Sequence, residues 1–230
     1  MIASINVLIN VVKNIPLFAS LSEVDQQYLA SLLRRRSLLK GEMLFRQGDE
    51  GTALYIIHTG RIKISLSRGI DMVTLAILDE GEFLGEMSLL DGLPRSADAA
   101  ALEDSQLYVL NRNDFLSFLI HNDSAVMAVL SALSMRLRRT DERLAEMCFL
   151  NLPARLAQRL VKMAELQTIN EQSPNEYILK ISQQELGNML GVSRESINKE
   201  LKNLRDKSIL STSRNCIRIQ SLAPLKKRMP

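Results

Sequence analysis

ISQQELGNMLGVSRESINKELKNLRDKSIL, residues Ile181–Leu210, carries two helix starts and one helix stop. Ser182 and Glu185 form an S-x-x-E capping box: the hydroxyl accepts from the third backbone N–H while the carboxylate accepts from the first. Gly191 suits the left-handed conformation that ends a helix, and Ser193 can cap the next one. Two short helices joined by a tight glycine-containing turn make a helix-turn-helix. Gly187 lets the two helices approach closely, and Val192, Ile197 and Leu201 supply the apolar stripe between them. The other face of the second helix presents Arg194, Glu195, Asn198, Lys199 and Lys202. A helical hairpin with a solvated, charged outer face shares this inner pattern. The continuation ILSTSRNCIRIQ, Ile209–Gln220, reads as a two-stranded hairpin turning near Arg214 and Asn215, which adds a wing. Side chains near the start of such a helix reach base edges in the major groove, where arginine pairs with guanine and glutamate accepts from the cytosine amino group. Lys202 and Arg205, further along, are expected at phosphate or in solvent.

Upstream of this motif, Ala154–Leu166 is helical and is followed by the polar loop NEQSPNE. From Asp123 to Leu152 the chain contains neither glycine nor proline. Val126, Leu130, Leu133, Leu137, Leu144 and Met147 fall at heptad spacing, with Thr140 filling the gap. Such a seam favours a coiled-coil partner, hence a dimer; the alternative is a long amphipathic helix lying over its own domain. At 1.5 Å per residue the helix spans about 40 Å.

Glycine usage separates the first part of the chain from the rest. Eight of the ten glycines lie between Gly41 and Gly92, and the next is Gly187. Between them run short β-branched, apolar segments (ALYIIH, RIKISLS, MVTLAIL) at the spacing of turns in an antiparallel unit. Arg34–Asn111 therefore reads as a small barrel or β-roll, entered by a helical segment around Ser22–Leu33.

The 230 residues have ordinary globular composition, 46% hydrophobic and 24% charged. The net charge of +3 conceals an asymmetry: from Asn151 onward there are 14 Lys and Arg against 7 Asp and Glu, and the remainder carries 15 against 19. A basic end on a mildly acidic body points to a polyanion, although basic ends are also commonly just solvated. Cys148 and Cys216 lack metal-ligand spacing and give no disulfide framework, which fits a reducing cytoplasm. The N-terminal MIASINVLINVVKNIPLF has no basic region or small-residue cleavage site, and no apolar run reaches the roughly 18 residues of a membrane span. We find no nucleophile–base pair, metal cluster or Walker-type loop, and so expect no enzyme.

FLGEMSLLDGLPRSADAAAL, Phe83–Leu102, crowds an acid, a base and a hydroxyl around one short apolar helix. Gly85 and the first N–H groups of that helix could cradle an anion. Arg95 offers a fork matching phosphate, Ser96 one more hydrogen bond, and Glu86 an acceptor for ribose hydroxyls. A structural Glu–Arg ion pair beside a turn explains the same residues equally well.

GEMSLLDGLPRSA resembles the phosphate-binding cassette of cyclic-nucleotide-binding domains, and ISQQELGNMLGVSRESINKEL resembles the DNA-binding motif of the bacterial CRP/FNR regulators. The likeness runs through nearly the whole chain in the family's order. It implies an α+β fold: an N-terminal cyclic-nucleotide-binding β-roll over 1–121, a long dimerisation helix over 122–150 and a C-terminal winged helix-turn-helix over 151–230. It further implies that Gly85 and Glu86 hold the ribose while Arg95 and Ser96 hold the cyclic phosphate of a cyclic nucleotide, cyclic AMP being favoured. Thr140 matches a threonine that contacts adenine in the cyclic AMP activators. Asp141 stands where the best-known members have serine, a departure that bears on ligand identity. Ser193, Arg194, Glu195, Asn198, Lys199 and Lys202 would face DNA; Arg194, Glu195 and Lys199 match base-reading positions. The implied partners are double-stranded DNA with a palindromic operator, a second copy of the chain and RNA polymerase, in the cytoplasm and without a membrane. The family's iron–sulfur sensors carry N-terminal cysteines, absent here before Cys148, and its haem sensors need an axial ligand, for which His58 and His121 are poor candidates; neither cofactor nor a metal is expected. The competing reading is a cyclic-nucleotide module that controls an enzyme or channel, against which the second helix of the helix-turn-helix argues.

Overall fold

The run Ala53–Ile57 is buried at every position because its strand is covered on both faces. In the computed structural model, which describes residues 21–69, 71–166 and 177–229 together with Ile9, Val12, Lys13, Ile15 and Phe18, that strand is central to the first part of the chain. The loop NEQSPNE and most of the N-terminal run Met1–Phe18 lie outside the described residues. The chain divides into two compact units, Met1–Arg138 and Arg139–Pro230.

In the first unit, helix α1 (Glu23–Leu32) is capped by Ser22, whose side chain accepts from the Asp25 N–H. Strands β1 (Arg34–Leu38), β2 (Met43–Phe45), β3 (Ala53–Thr59), β4 (Ile62–Arg68), β5 (Asp71–Leu78) and β6 (Phe83–Leu84) follow. Helix α2 (Glu86–Asp91), strands β7 (Asp98–Ala101) and β8 (Ser105–Asn111) and helix α3 (Arg112–Ile120) complete it. The strands form two antiparallel sheets ordered β1-β8-β3-β6 and β2-β7-β4-β5, as expected of a β-roll. Alternation along β3 sorts the core. Tyr55 and Ile57 point between the sheets to Leu38, Leu44, Leu84 and Leu107. Leu54 and Ile56 point the other way, toward Leu29, Phe83, Tyr108 and Phe115.

Helix α4 (Asp123–Phe149) crosses the boundary between the units. Ala125 and Val129 are buried against the first unit's helical core, and Ala132 packs partly on it. The heptad positions lie on a neighbouring face, where Leu130, Leu137, Leu144 and Met147 are 51%, 63%, 59% and 59% exposed. The helix therefore packs one face on its own unit's core and leaves the heptad positions Leu130, Leu137, Leu144 and Met147 exposed on another. Leu133 is shared, being partly packed on the core.

The second unit contains α5 (Leu152–Glu165), β9 (Tyr177–Leu179), α6 (Gln183–Leu190), α7 (Arg194–Asp206), β10 (Leu210–Ser213), β11 (Cys216–Ile219) and α8 (Ala223–Lys226). Asn151 caps α5 by accepting from the Ala154 N–H. Leu156, Leu160, Val161 and Ala164 bury one side of that helix against Leu186, Ile197, Leu201 and Ile217. The sheet order is β10-β11-β9, antiparallel throughout. Among the described residues no single helix is long and apolar enough to cross a membrane.

Candidate functional site

In the first unit the cassette is built on Gly85, which ends β6 and starts α2 at φ 87°. A Cβ there would lie 2.6 Å from Arg95 Nη1 and 3.0 Å from the Ala53 carbonyl, so this left-handed position is closed to other residues twice over. The helix it opens has only six residues. Its dipole is correspondingly small, and the full positive charge in the cassette is the Arg95 guanidinium.

Arg95 is 4% exposed. Its Nη1 and Nη2 each donate over 2.7 Å, to the carbonyls of Gly85 and Ala53 respectively. The fork expected to be open for phosphate is therefore half engaged by backbone, and Nε is buried without a partner. Burial pulls the Arg95 pKa down, opposed by Tyr55, Glu86 and Asp49; a guanidinium nevertheless stays charged. Ser96 is exposed, with its hydroxyl 3.8 Å from the Met87 sulfur.

Glu86 is 3% exposed and does form an ion pair, but not with Arg95. Its Oε1 accepts from Nη1 of Arg136 on α4 at 2.6 Å. Arg136 also donates to the Phe83 carbonyl and lies 4.5 Å from the Phe83 ring centroid. Sequence reasoning missed Arg136 because it sits in an Arg-Leu-Arg-Arg run that reads as solvated helix charge. Its place on the Ala125–Val129–Ala132 face, four residues after Ala132, was the available signal. Thr140 and Asp141 are exposed on the same helix. At about 100° per residue, Thr140 lies about 40° around the helix from Arg136 and about 60° from Leu137, between the face packed on the core and the seam.

In the second unit both predicted caps are present. Ser182 and Glu185 make the reciprocal box, and Gly191 ends α6 at φ 65°. Gly187 is needed for close approach: a Cβ would meet the Val192 carbonyl at 2.7 Å. Ser193 caps α7 by accepting from the Ser196 N–H. Ile197, Leu201 and Leu204 are buried, which turns Arg194, Glu195, Asn198, Lys199 and Lys202 to solvent on one exposed surface. Hydrogen bonds from its own backbone and the Ser193 hydroxyl hold the Glu195 carboxyl below the usual carboxylate range. Arg205, expected at phosphate or in solvent, is exposed and also donates to the Thr212 hydroxyl over 3.1 Å, which ties α7 to the hairpin β10–β11. That hairpin turns at Arg214–Asn215, with Asn215 at φ 54°.

Comparison with known proteins agrees with both units. Residues 35–122 match the cyclic nucleotide-binding domain, and residues 154–228 match the Crp-like helix-turn-helix domain. The cyclic AMP receptor protein of Thermus thermophilus is 31% identical over 214 residues, 93% of this chain and 96% of that protein. The CRP-like cAMP-activated global transcriptional regulator of Mycobacterium tuberculosis is 30% identical over 164 residues, covering 70% of this chain and 73% of the relative. The c-di-GMP responsive global regulator CLP of Xanthomonas campestris shares the fold, with a TM-score of 0.76 over 87% of this chain and 99% of that one at 22% identity. A cyclic-nucleotide cassette and a Crp-like helix-turn-helix in that order, with a relative alike over nearly its full length, make this chain a member of the CRP/FNR family of transcription regulators, and not an enzyme.

Proposed function

We propose that the protein is a dimeric transcription regulator gated by a cyclic nucleotide, with cyclic AMP as the effector. The observation that carries this reading is the buried Arg95–Glu86 cassette, with Glu86 joined by an ion pair to the helix that displays the apolar seam. In this reading Gly85 and Glu86 hold the ribose, Arg95 and Ser96 the cyclic phosphate, and Thr140 and Asp141 the base. A ribose hydroxyl arriving at Glu86 shares an acceptor with Arg136, so ligand binding and the setting of α4 are linked. A ligand shifts a conformational equilibrium only through such differential contacts. Arg194, Glu195 and Lys199 read base edges, with Ser193, Asn198 and Lys202 alongside. Two-fold symmetry then demands a palindromic operator with half-sites about 34 Å apart. RNA polymerase is the onward partner, and the cytoplasm the place of action.

Titration calorimetry with cyclic AMP, cyclic GMP and a cyclic dinucleotide, repeated on Arg95→Ala, tests the effector. Cyclic AMP is expected to bind, and the variant to lose about 2–4 kcal/mol as the phosphate loses a charge-assisted partner. No heat with any cyclic nucleotide, or unchanged affinity in Arg95→Ala, refutes the cassette. Tighter binding of the dinucleotide reassigns the effector, with Asp141 the residue to examine. Operator binding by fluorescence anisotropy should strengthen with effector, and effector affinity should strengthen by the same factor with operator. A protein that binds the nucleotide but no duplex DNA at low salt is instead a regulatory module for another protein.

A further inference from the structure

The guanidinium of Arg95 is enclosed by aromatic rings as well as by carbonyls. Its central carbon lies 4.4 Å from the Phe45 ring centroid and 5.7 Å from that of Tyr55. The two rings are 5.9 Å apart, tilted by 34°. Phe45 belongs to β2 in one sheet and Tyr55 to β3 in the other, so the pair grips Arg95 from both walls of the roll. Tyr55 is 7% exposed, and its hydroxyl also favours the charged guanidinium. A guanidinium has five N–H donors. Two are spent on Gly85 and Ala53, while the Nε donor is buried with no acceptor. A buried donor without an acceptor is costly, and a group held in that condition by neighbours on two sheets cannot swing out to find water.

We propose that Phe45 and Tyr55 are positioning residues for the anion site: their rings clamp Arg95 so that its unused donors are set for an anion before the ligand arrives. The proposal rests on the cassette reading above and adds which residues make Arg95 effective. Because the clamp acts on the phosphate-holding group alone, its effect is the same for every base. Orienting the guanidinium in the fold removes an ordering cost from binding.

The test uses the full chain with cyclic AMP and cyclic GMP, in wild type, Phe45→Leu, Tyr55→Leu and Arg95→Ala, and in each ring variant combined with Arg95→Ala. Each ring variant alone is expected to weaken both nucleotides by one common factor, about three- to tenfold. Combined with Arg95→Ala, neither should weaken binding further, and Phe45→Tyr should restore most of what Phe45→Leu loses. In ligand-free protein the Arg95 Nε–H resonance should be protected from solvent exchange, and Phe45→Leu should abolish that protection. Equal losses with and without Arg95, a base-dependent loss, or an Nε–H that exchanges freely in wild type each overturn the clamp. Failure of wild type to bind either nucleotide overturns the cassette reading itself. Binding that depends on Arg95 but not on the rings overturns only the clamp.

Discussion

Removing the guanidinium of Arg136 isolates the contact that joins α4 to the cassette. Glu86 Oε1 and Arg136 Nη1 are 2.6 Å apart, with side chains 3% and 29% exposed. Breaking a buried pair by deleting one partner costs about 3–5 kcal/mol, because the remaining charge is left uncompensated. Arg136 is 29% exposed, so water follows its removal to the Glu86 carboxylate left behind, which sets Arg136→Met just below that range, at about 2–3 kcal/mol. Methionine keeps an apolar stem but no guanidinium, so the loss combines the pairing with Glu86, the bond to the Phe83 carbonyl and the contact with the Phe83 ring. Glu86→Gln strands the partly exposed guanidinium instead and should cost less, about 1–2 kcal/mol. The double variant should be less destabilised than the two costs added, by about 1–3 kcal/mol, since neither charge is then left alone. Urea unfolding followed by far-ultraviolet circular dichroism gives each value. The transition of the Met1–Arg138 unit is the one that should move, with its slope unchanged. At about 2–4 °C per kcal/mol for a chain of this size, Arg136→Met should melt about 4–12 °C lower. A loss under about 0.5 kcal/mol, or strict additivity in the double variant, would show the pair to be a surface contact of little consequence.

Gly187→Ala would push a methyl group to 2.7 Å from the Val192 carbonyl, so it should spread α6 from α7 and destabilise the second unit by about 1–3 kcal/mol; unchanged urea unfolding would contradict the contact. Leu130→Asp combined with Leu137→Asp places charge on the exposed seam while sparing the partly packed Leu133, and should turn a dimer into a monomer in sedimentation equilibrium. A wild-type monomer at micromolar concentration would dispose of the dimer. Arg194→Ala should cost about 1–3 kcal/mol at its operator and relax preference at one base pair, while Lys202→Ala weakens all sequences alike and lowers the salt slope by about one. A binding-site selection that returns the same consensus for wild type and Arg194→Ala would remove α7 from base reading.

Much of the second unit was legible in the chain because its determinants are local. A capping box reaches three residues, a left-handed glycine acts at its own position, and the stripe at Ile197 and Leu201 fixes which side of α7 is buried; Arg194, Glu195 and Lys199 are then displayed by default. The strands of the first unit were equally readable from glycine punctuation and β-branched runs, and the heptad seam from its period. The partners of the charged groups were not. Glu86 and Arg95 are nine residues apart and invite pairing, yet Glu86 took Arg136, fifty positions away, and Arg95 took the carbonyls of Gly85 and Ala53. Phe45 and Tyr55 read only as strand residues until two sheets brought their rings onto one guanidinium. Arg205 turned to Thr212 for the same reason: a long side chain reaches whatever the fold sets beside it. Secondary structure follows from propensities and spacing within a few residues, which sequence carries. Which donor meets which acceptor depends on the packing of elements distant in sequence, and only the folded chain decides it.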